Sequence, residues 1–356
     1  MSDIDIITRT YYKDQKQLNV NLIKTFKLFC CNLNFNLNIV LDDESKDDHI
    51  LGNKLINDNL VDNIYYEKLP NNWKELFQGI SFKGVYGRWG YDRQQWSTFY
   101  FDKYSDKNII GVVDSDSTFF SYVRPKDIFF ENKIKLHVVL PKIHHFNNSL
   151  SNMAKSYGEG DHYKNDKVAL KIDTPYEYMY TNRMPIFFYK ETFENCRNYI
   201  SKQWNMSFDE AFKTFSRDEY SQFNILVNYA LTFEPDKYHA VFNDKEFTET
   251  NNIISVGQNG CLRPYDIITG YIQSFNININ DLPENYRTLC KKYQYNLEHV
   301  NRYSNSIIKI NNDLIINKYY KSIQNETKQI SYDLLLENFI NFLKNDYVNI
   351  ISQNWL

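Results

Sequence analysis

The chain has 356 residues, 41 Lys and Arg against 44 Asp and Glu, and a formal net charge of −3. That balance argues against a dedicated nucleic-acid binder, which works through phosphate neutralisation. A hydrophobic fraction of 42% excludes a globally disordered chain. No apolar run approaches membrane-spanning length. The start, MSDIDIITRT, lacks the basic and apolar regions of a signal peptide. The five cysteines show no CxxC spacing and read as reduced thiols, so the expectation is a cytoplasmic protein. The 29 Tyr and 25 Phe, with frequent Asn, Ile and Lys, read as the bias of an AT-rich organism or virus, which would place a viral chain in the host cytoplasm.

In chain order, Ile4 to Thr8 is a short apolar run. Residues 20–30 follow with Leu22, Ile23, Phe26, Leu28 and Phe29 at helical period. Leu37 to Leu41 reads as a strand running into an acidic turn, Asp42-Asp43-Glu44-Ser45, and residues 61–66 read as another. This β-α-β-β order is that of a nucleotide-binding α/β unit, although neither GxGxxG nor GxxxxGK[ST] occurs. Over residues 83–104, Gly84, Gly87 and Gly90 make a flexible entry and Asp92 is the expected helix cap. Gln95, Trp96, Phe99 and Tyr100 then recur at helical spacing. The aromatics read as packing, whereas Arg88, Arg93, Gln94 and Gln95 are of the types that clamp phosphate or hydrogen-bond a base or sugar.

The chain is organised around residues 108–120, NIIGVVDSDSTFF. Ile109 to Val113 reads as a buried parallel strand with Asp114 and Asp116 at its carboxyl end. On an extended backbone, positions i and i+2 face the same way, so the two carboxylates converge with Ser115 turned aside. Open α/β sheets bind ligands beyond the carboxyl ends of their strands. Two hard oxygen donors there suit Mn²⁺ or Mg²⁺. The competing reading is an ordinary turn, since Asp and Ser commonly follow a strand.

Downstream, residues 127–130 and 134–140 read as strands completing the second half of the sheet, and residues 155–166 as a mobile loop or lid. Residues 184–188 read as a strand, and residues 191–204, 208–215 and 225–230 as helices. Asp218 and Glu219 precede the last of these, as helix-capping acids or as a general base. Tyr178, Tyr180 and Trp204 are aromatics able to stack on a sugar face or to pack in the core. Residues 286–303 and 331–351 read as helices, the latter with a broad apolar stripe.

The order of strand, helix, YDRQQWSTFYFDKY, strand, DSD and strand resembles the GT-A fold glycosyltransferases over about residues 4–271. The resemblance implies a Rossmann-like α/β fold with a mixed, mainly parallel sheet flanked by helices. Residues 1–280 would form the glycosyltransferase domain, with a nucleotide-binding half (1–125) and an acceptor-side half (126–280). Residues 281–356 would form a helical C-terminal extension. It implies a metal-dependent enzyme that moves a hexosyl or pentosyl group from a UDP- or GDP-sugar to a glycan or glycoprotein acceptor, with Mn²⁺ or Mg²⁺ as cofactor and no nucleic-acid partner. Asp116 resembles the direct metal ligand, and Asp114 the aspartate that contacts ribose or the metal through water. Thr8, Arg9 and Thr10 match the usual nucleotide contact, and Arg93 and Gln94 resemble donor-pocket residues. Arg88 and Ser115 join the donor-binding set. Arg183 resembles an acceptor-side residue and is grouped with Trp204. His239 is the candidate third metal ligand. The family's S-E-F segment is Ser221-Gln222-Phe223 here, which leaves Asp218 or Glu219 as the base. The alternatives are a metal-dependent nucleotidyltransferase, which also binds metal through paired aspartates on a strand, and a non-catalytic GT-A-like binding or structural protein.

Overall fold

The computed structural model describes residues 4–30, 34–77, 89–119, 121–139, 168–172, 179–180, 184–216, 220–242, 264–294 and 321–345. The chain divides into two compact units, each discontinuous in sequence. The first comprises residues 1–12, 34–113 and 128–244; the second comprises residues 13–33, 114–127 and 245–356.

The first unit is built on a five-stranded sheet of strands β1 (Ile4–Arg9), β2 (Phe35–Asp42), β3 (Asn63–Glu67), β4 (Ile109–Val112) and β8 (Ile186–Tyr189), in the order β3-β2-β1-β4-β8. The first four run parallel, and β8 runs antiparallel to β4. The expected mixed, mainly parallel α/β architecture is therefore present. Ile4 to Arg9 is buried throughout, as a strand covered on both faces must be. Parallel neighbours need a crossover. Between β2 and β3 this is the helix Lys46–Asn57, which the β-α-β-β reading omitted. Its weak apolar pattern hid it, but its start is marked: the Ser45 hydroxyl accepts from the Asp48 amide at 3.2 Å.

Gly111 lies opposite Ile6 on β1 and Phe187 on β8. A Cβ there would fall 2.5 Å from Ile6 Cδ1 and 2.9 Å from Phe187 Cε1. The glycine thus lets two large neighbours meet across the central strand.

The strands after β4 do not all extend this sheet, contrary to expectation. β5 (Phe129–Phe130), β6 (Lys133–Val139), β7 (Met179–Tyr180) and β9 (Tyr238–Phe242) form a second sheet around β6. Periodicity marks strands but carries no pairing information, so only tertiary contacts assign them to a sheet. The expected helices appear as Lys190–Trp204, Phe208–Phe215 and Gln222–Phe233. The helix Trp89–Thr98 starts before Asp92, which therefore sits in its first turn rather than at its cap.

The second unit contains an unusual helical segment near its start. Leu18–Ile23 is wound wide, and the Lys24 amide donates back to the Asn19 carbonyl. It continues as the regular helix Lys24–Phe29. Phe29 meets Tyr271 at 5.7 Å between ring centroids, and Tyr271 stacks on Phe339 at 4.7 Å. These rings join the helix Lys24–Phe29 to the helices Pro264–Phe275 and Tyr332–Asn345. Apolar aromatic burial of this kind is worth about 1.5–3 kcal/mol per side chain.

Candidate functional site

Because β1, β2 and β3 are parallel, Arg9, Asp42 and Glu67 end neighbouring strands at one edge of the sheet. They form one buried network with Arg93 from the helix Trp89–Thr98. Arg9 donates to Asp42, and its Nε lies 3.3 Å from Glu67 Oε2. Arg93 reaches Asp42 at 3.2 Å, Glu44 at 3.3 Å and Glu67 at 3.5 Å, and donates to the Glu67 carbonyl at 2.6 Å. The second oxygen of Glu67 accepts from Ser97 Oγ at 2.6 Å and Tyr104 Oη at 3.0 Å. Burial, then the Glu67 charge, push the Tyr104 phenol up, so it stays a donor.

Two guanidiniums thus face three carboxylates. Arg93, expected to meet phosphate, and Arg9, expected to meet the nucleotide, already have their charge compensated by Asp42, Glu44 and Glu67. Sequence reasoning noted the acidic turn at 42–45 but missed Glu67. A charged residue closing the apolar-aromatic strand Asn63–Glu67 was the available signal. The hydroxyls of Thr8 and Thr10 are buried at this end, the side-chain amide of Gln95 is buried on the helix Trp89–Thr98, and none of the three has a hydrogen-bond partner among the described residues. Gln94 is half-buried on the same helix. Arg88 lies outside the described residues.

The chain leaves β4 at Val112 and enters Asp114-Ser115-Asp116, all half-buried. The backbone there is not extended. Ser115 and Asp116 form a turn closed by the Ser117 amide on the Asp114 carbonyl at 3.0 Å. The alternation argument therefore does not apply to the aspartates, because the turn tendency of Asp and Ser prevails once the ladder ends. Within the second unit, Asn21 Nδ2 donates to the Asp116 carbonyl at 3.3 Å, and the Phe119 amide donates to Thr25 Oγ1 at 2.9 Å. Burial, then the Asp116 charge, raise the Asp14 carboxyl above the usual range. Asp14, Asn21 and Thr25 were not found from sequence. The available signal for the last two was a pair of polar residues at i and i+4 on a largely buried helix.

The donor set of the turn is chemically suited to a hard divalent cation. Two carboxylates are what Mg²⁺ or Mn²⁺ takes when phosphate and water complete its shell. No group of three or more His, Cys, Asp or Glu suited to a metal occurs among the described residues. His239 lies on β9 of the first unit with its ring stacked on Phe130 at 4.2 Å. Trp204 donates from Nε1 to the Ala169 carbonyl at 2.9 Å, and Lys171 Nζ lies 4.4 Å from its ring centroid. Asp218, Glu219, Arg183 and Tyr178, together with residues 155–166, lie outside the described residues, and only the backbone of Tyr180 is described. Among the described residues no helix is long and apolar enough to cross a membrane.

No family model matches the chain, and no curated protein matches it. Solved structures similar in fold include the Mn/GDP form of core-mannan synthase A from Aspergillus fumigatus, at 12% identity over 67% of this chain and 73% of that one, with a TM-score of 0.42. Mouse xyloside xylosyltransferase 1 in its apo form is similar at 10% identity over 67% of this chain and 84% of its own, with a TM-score of 0.36. The galactosyltransferase LgtC in complex with donor and acceptor sugar analogues is similar at 10% identity over 61% of this chain and 72% of its own, with a TM-score of 0.32.

Proposed function

We propose that this chain is a nucleotide-sugar-dependent glycosyltransferase of the GT-A type that uses Mn²⁺ or Mg²⁺. The observation that carries the reading is the run from β4, parallel to β1 and antiparallel to β8, directly into Asp114-Ser115-Asp116. It combines the carboxyl end of a parallel strand, where α/β sheets take their ligands, with a hard oxygen donor set.

Asp114 and Asp116 would hold the cation. When bound, the cation stabilises charge on the leaving nucleoside diphosphate as a Lewis acid. In the first unit, the Thr8 and Thr10 hydroxyls have no hydrogen-bond partner among the described residues, and we assign them to polar ligand contact. Arg9 and Arg93, compensated by three carboxylates, shape that edge rather than supply net positive charge. An acceptor hydroxyl must lose a proton, and Asp218 or Glu219 is the assigned base if the reaction inverts.

The test is thermal unfolding with UDP, GDP, CMP and nucleoside triphosphates, with and without Mn²⁺. A ligand at one hundred times its Kd stabilises the native state by about 2.7 kcal/mol. The expected result is a Mn²⁺-dependent rise with UDP or GDP that is lost in a folded Asp116→Ala variant. A rise with triphosphates alone points to nucleotidyl transfer. No rise with any nucleotide in folded protein overturns the enzymatic reading in favour of a binding or structural role.

A further inference from the structure

The Asp114–Phe119 segment is held from the side by one short stretch of helix. Asn21 Nδ2 donates to the Asp116 carbonyl at 3.3 Å, and the Phe119 amide donates to Thr25 Oγ1 at 2.9 Å. The Thr25 hydroxyl, fully buried, passes its own proton back to the Asn21 carbonyl. Phe26, next along the helix, meets the Phe119 ring edge-on at 5.9 Å. Asn21 and Thr25 are four residues apart, so a helix places them on one side. The anchored positions, Asp116 and Phe119, are the second aspartate and the residue two positions past the turn that carries it.

The helix is also unusual where it makes these bonds. Asn21 belongs to the wide-wound segment Leu18–Ile23, and Thr25 follows directly in the regular helix. Such widened turns are rare and recur at functional sites, because they re-aim side chains without ending the helix. Here the side chains at the junction bond to the turn rather than to solvent.

We propose that Asn21 and Thr25 are positioning residues that clamp the Asp114–Phe119 segment and so set its affinity for the divalent cation. The proposal rests on the reading of Asp114 and Asp116 as cation ligands. Neither residue touches the cation in it; both act through the backbone of the turn.

The test uses the full chain with Thr25→Val, Thr25→Ser and Asn21→Ala. Two quantities are read: amide hydrogen exchange at Phe119 in metal-free protein, and Mn²⁺ affinity by paramagnetic resonance in the presence of UDP or GDP. Thr25→Val keeps the shape and removes the acceptor. It is expected to speed Phe119 exchange about tenfold and weaken Mn²⁺ about tenfold, the scale of one lost hydrogen bond. Thr25→Ser restores the hydroxyl and is expected to return both values to near wild type. Asn21 is half-buried, so Asn21→Ala decides the matter if Thr25→Val does not fold. Wild-type exchange in the folded variants overturns the clamp. Faster exchange with unchanged Mn²⁺ affinity overturns its role in the cation site. Equal Mn²⁺ affinity in wild type and Asp116→Ala overturns the cation reading itself, a result distinct from one in which Asp116→Ala loses Mn²⁺ and Thr25→Val keeps it.

Discussion

The acidic groups at the ends of β2 and β3 and the acidic groups after β4 are held in opposite ways. Asp42 and Glu67 are locked side chain to side chain by Arg9 and Arg93, deep in the first unit. Asp114 and Asp116 stand half-buried on a turn that the second unit grips by its backbone, through Asn21 and Thr25. A carboxylate already satisfied by guanidinium has little left for a ligand. Asp114 and Asp116 are positioned through the backbone bonds of their turn, the Ser117 amide on the Asp114 carbonyl and Asn21 on the Asp116 carbonyl. The comparison teaches that one chain fixes acidic residues by side-chain charge compensation at one set of strand ends and by backbone anchoring after the next strand.

The comparison can be broken most forcefully at Glu67. Both its oxygens are engaged, by two arginines, Ser97 and Tyr104, and the residue is 3% exposed. Glu67→Ala strands those partners, and unfolding in urea should show a loss of about 3–5 kcal/mol. At the other region the expected loss is of ligand response rather than fold. Asp116→Asn, which keeps the side chain's size, should remain folded without ligand. It should forfeit the roughly 2.7 kcal/mol that Mn²⁺ and a saturating nucleoside diphosphate would add. A melting curve with and without both ligands separates the two effects.

Gly111 sharpens the comparison, because it sits on the strand that leads into the turn. Gly111→Ala must displace Ile6 or Phe187, and overpacking of this kind costs about 1–3 kcal/mol. The smallest effect is expected at Asp48, where burial, then the Asp42 charge, raise the carboxyl while Ser45, the Tyr12 amide and Arg9 oppose them. A raised folded-state value means the native chain keeps this proton to higher pH than the unfolded chain. Its contribution is therefore fully favourable below the ordinary value near 3.8 and is lost as pH rises through the raised value. Asp48→Asn should be slightly more stable than wild type at neutral pH, and that advantage should shrink on acidification, as paired melts across the acid range would show.

Much of the fold was legible because burial leaves a periodic trace. The apolar runs at Ile4, Leu37 and Ile109 became β1, β2 and β4, the helical stripes at 191–204 and 208–215 became helices within a few residues of their expected bounds, and the stripe at 331–351 is helical over Tyr332–Asn345, its remainder lying outside the described residues. The helix Lys46–Asn57 was not legible, because its polar face dominates and only its Ser45 cap announces it. The candidate site was legible in its carboxylates and not in its support. Asp114 and Asp116 stand out as a local pattern, but nothing local ties Asn21 to Asp116 across 95 positions or Arg93 to Glu67 across 26.

The sequence by itself determined the strands and helices that carry an apolar period, and that a pair of hard oxygen donors follows an apolar strand. Those are properties of neighbouring residues, set by backbone period and side-chain polarity. Only the tertiary structure decided that β5, β6, β7 and β9 leave the main sheet, that Arg9 and Arg93 meet carboxylates, and that the Asp-Ser-Asp segment is a turn held by a widened helix. Pairing and charge compensation depend on which distant groups reach each other, and local pattern does not encode that.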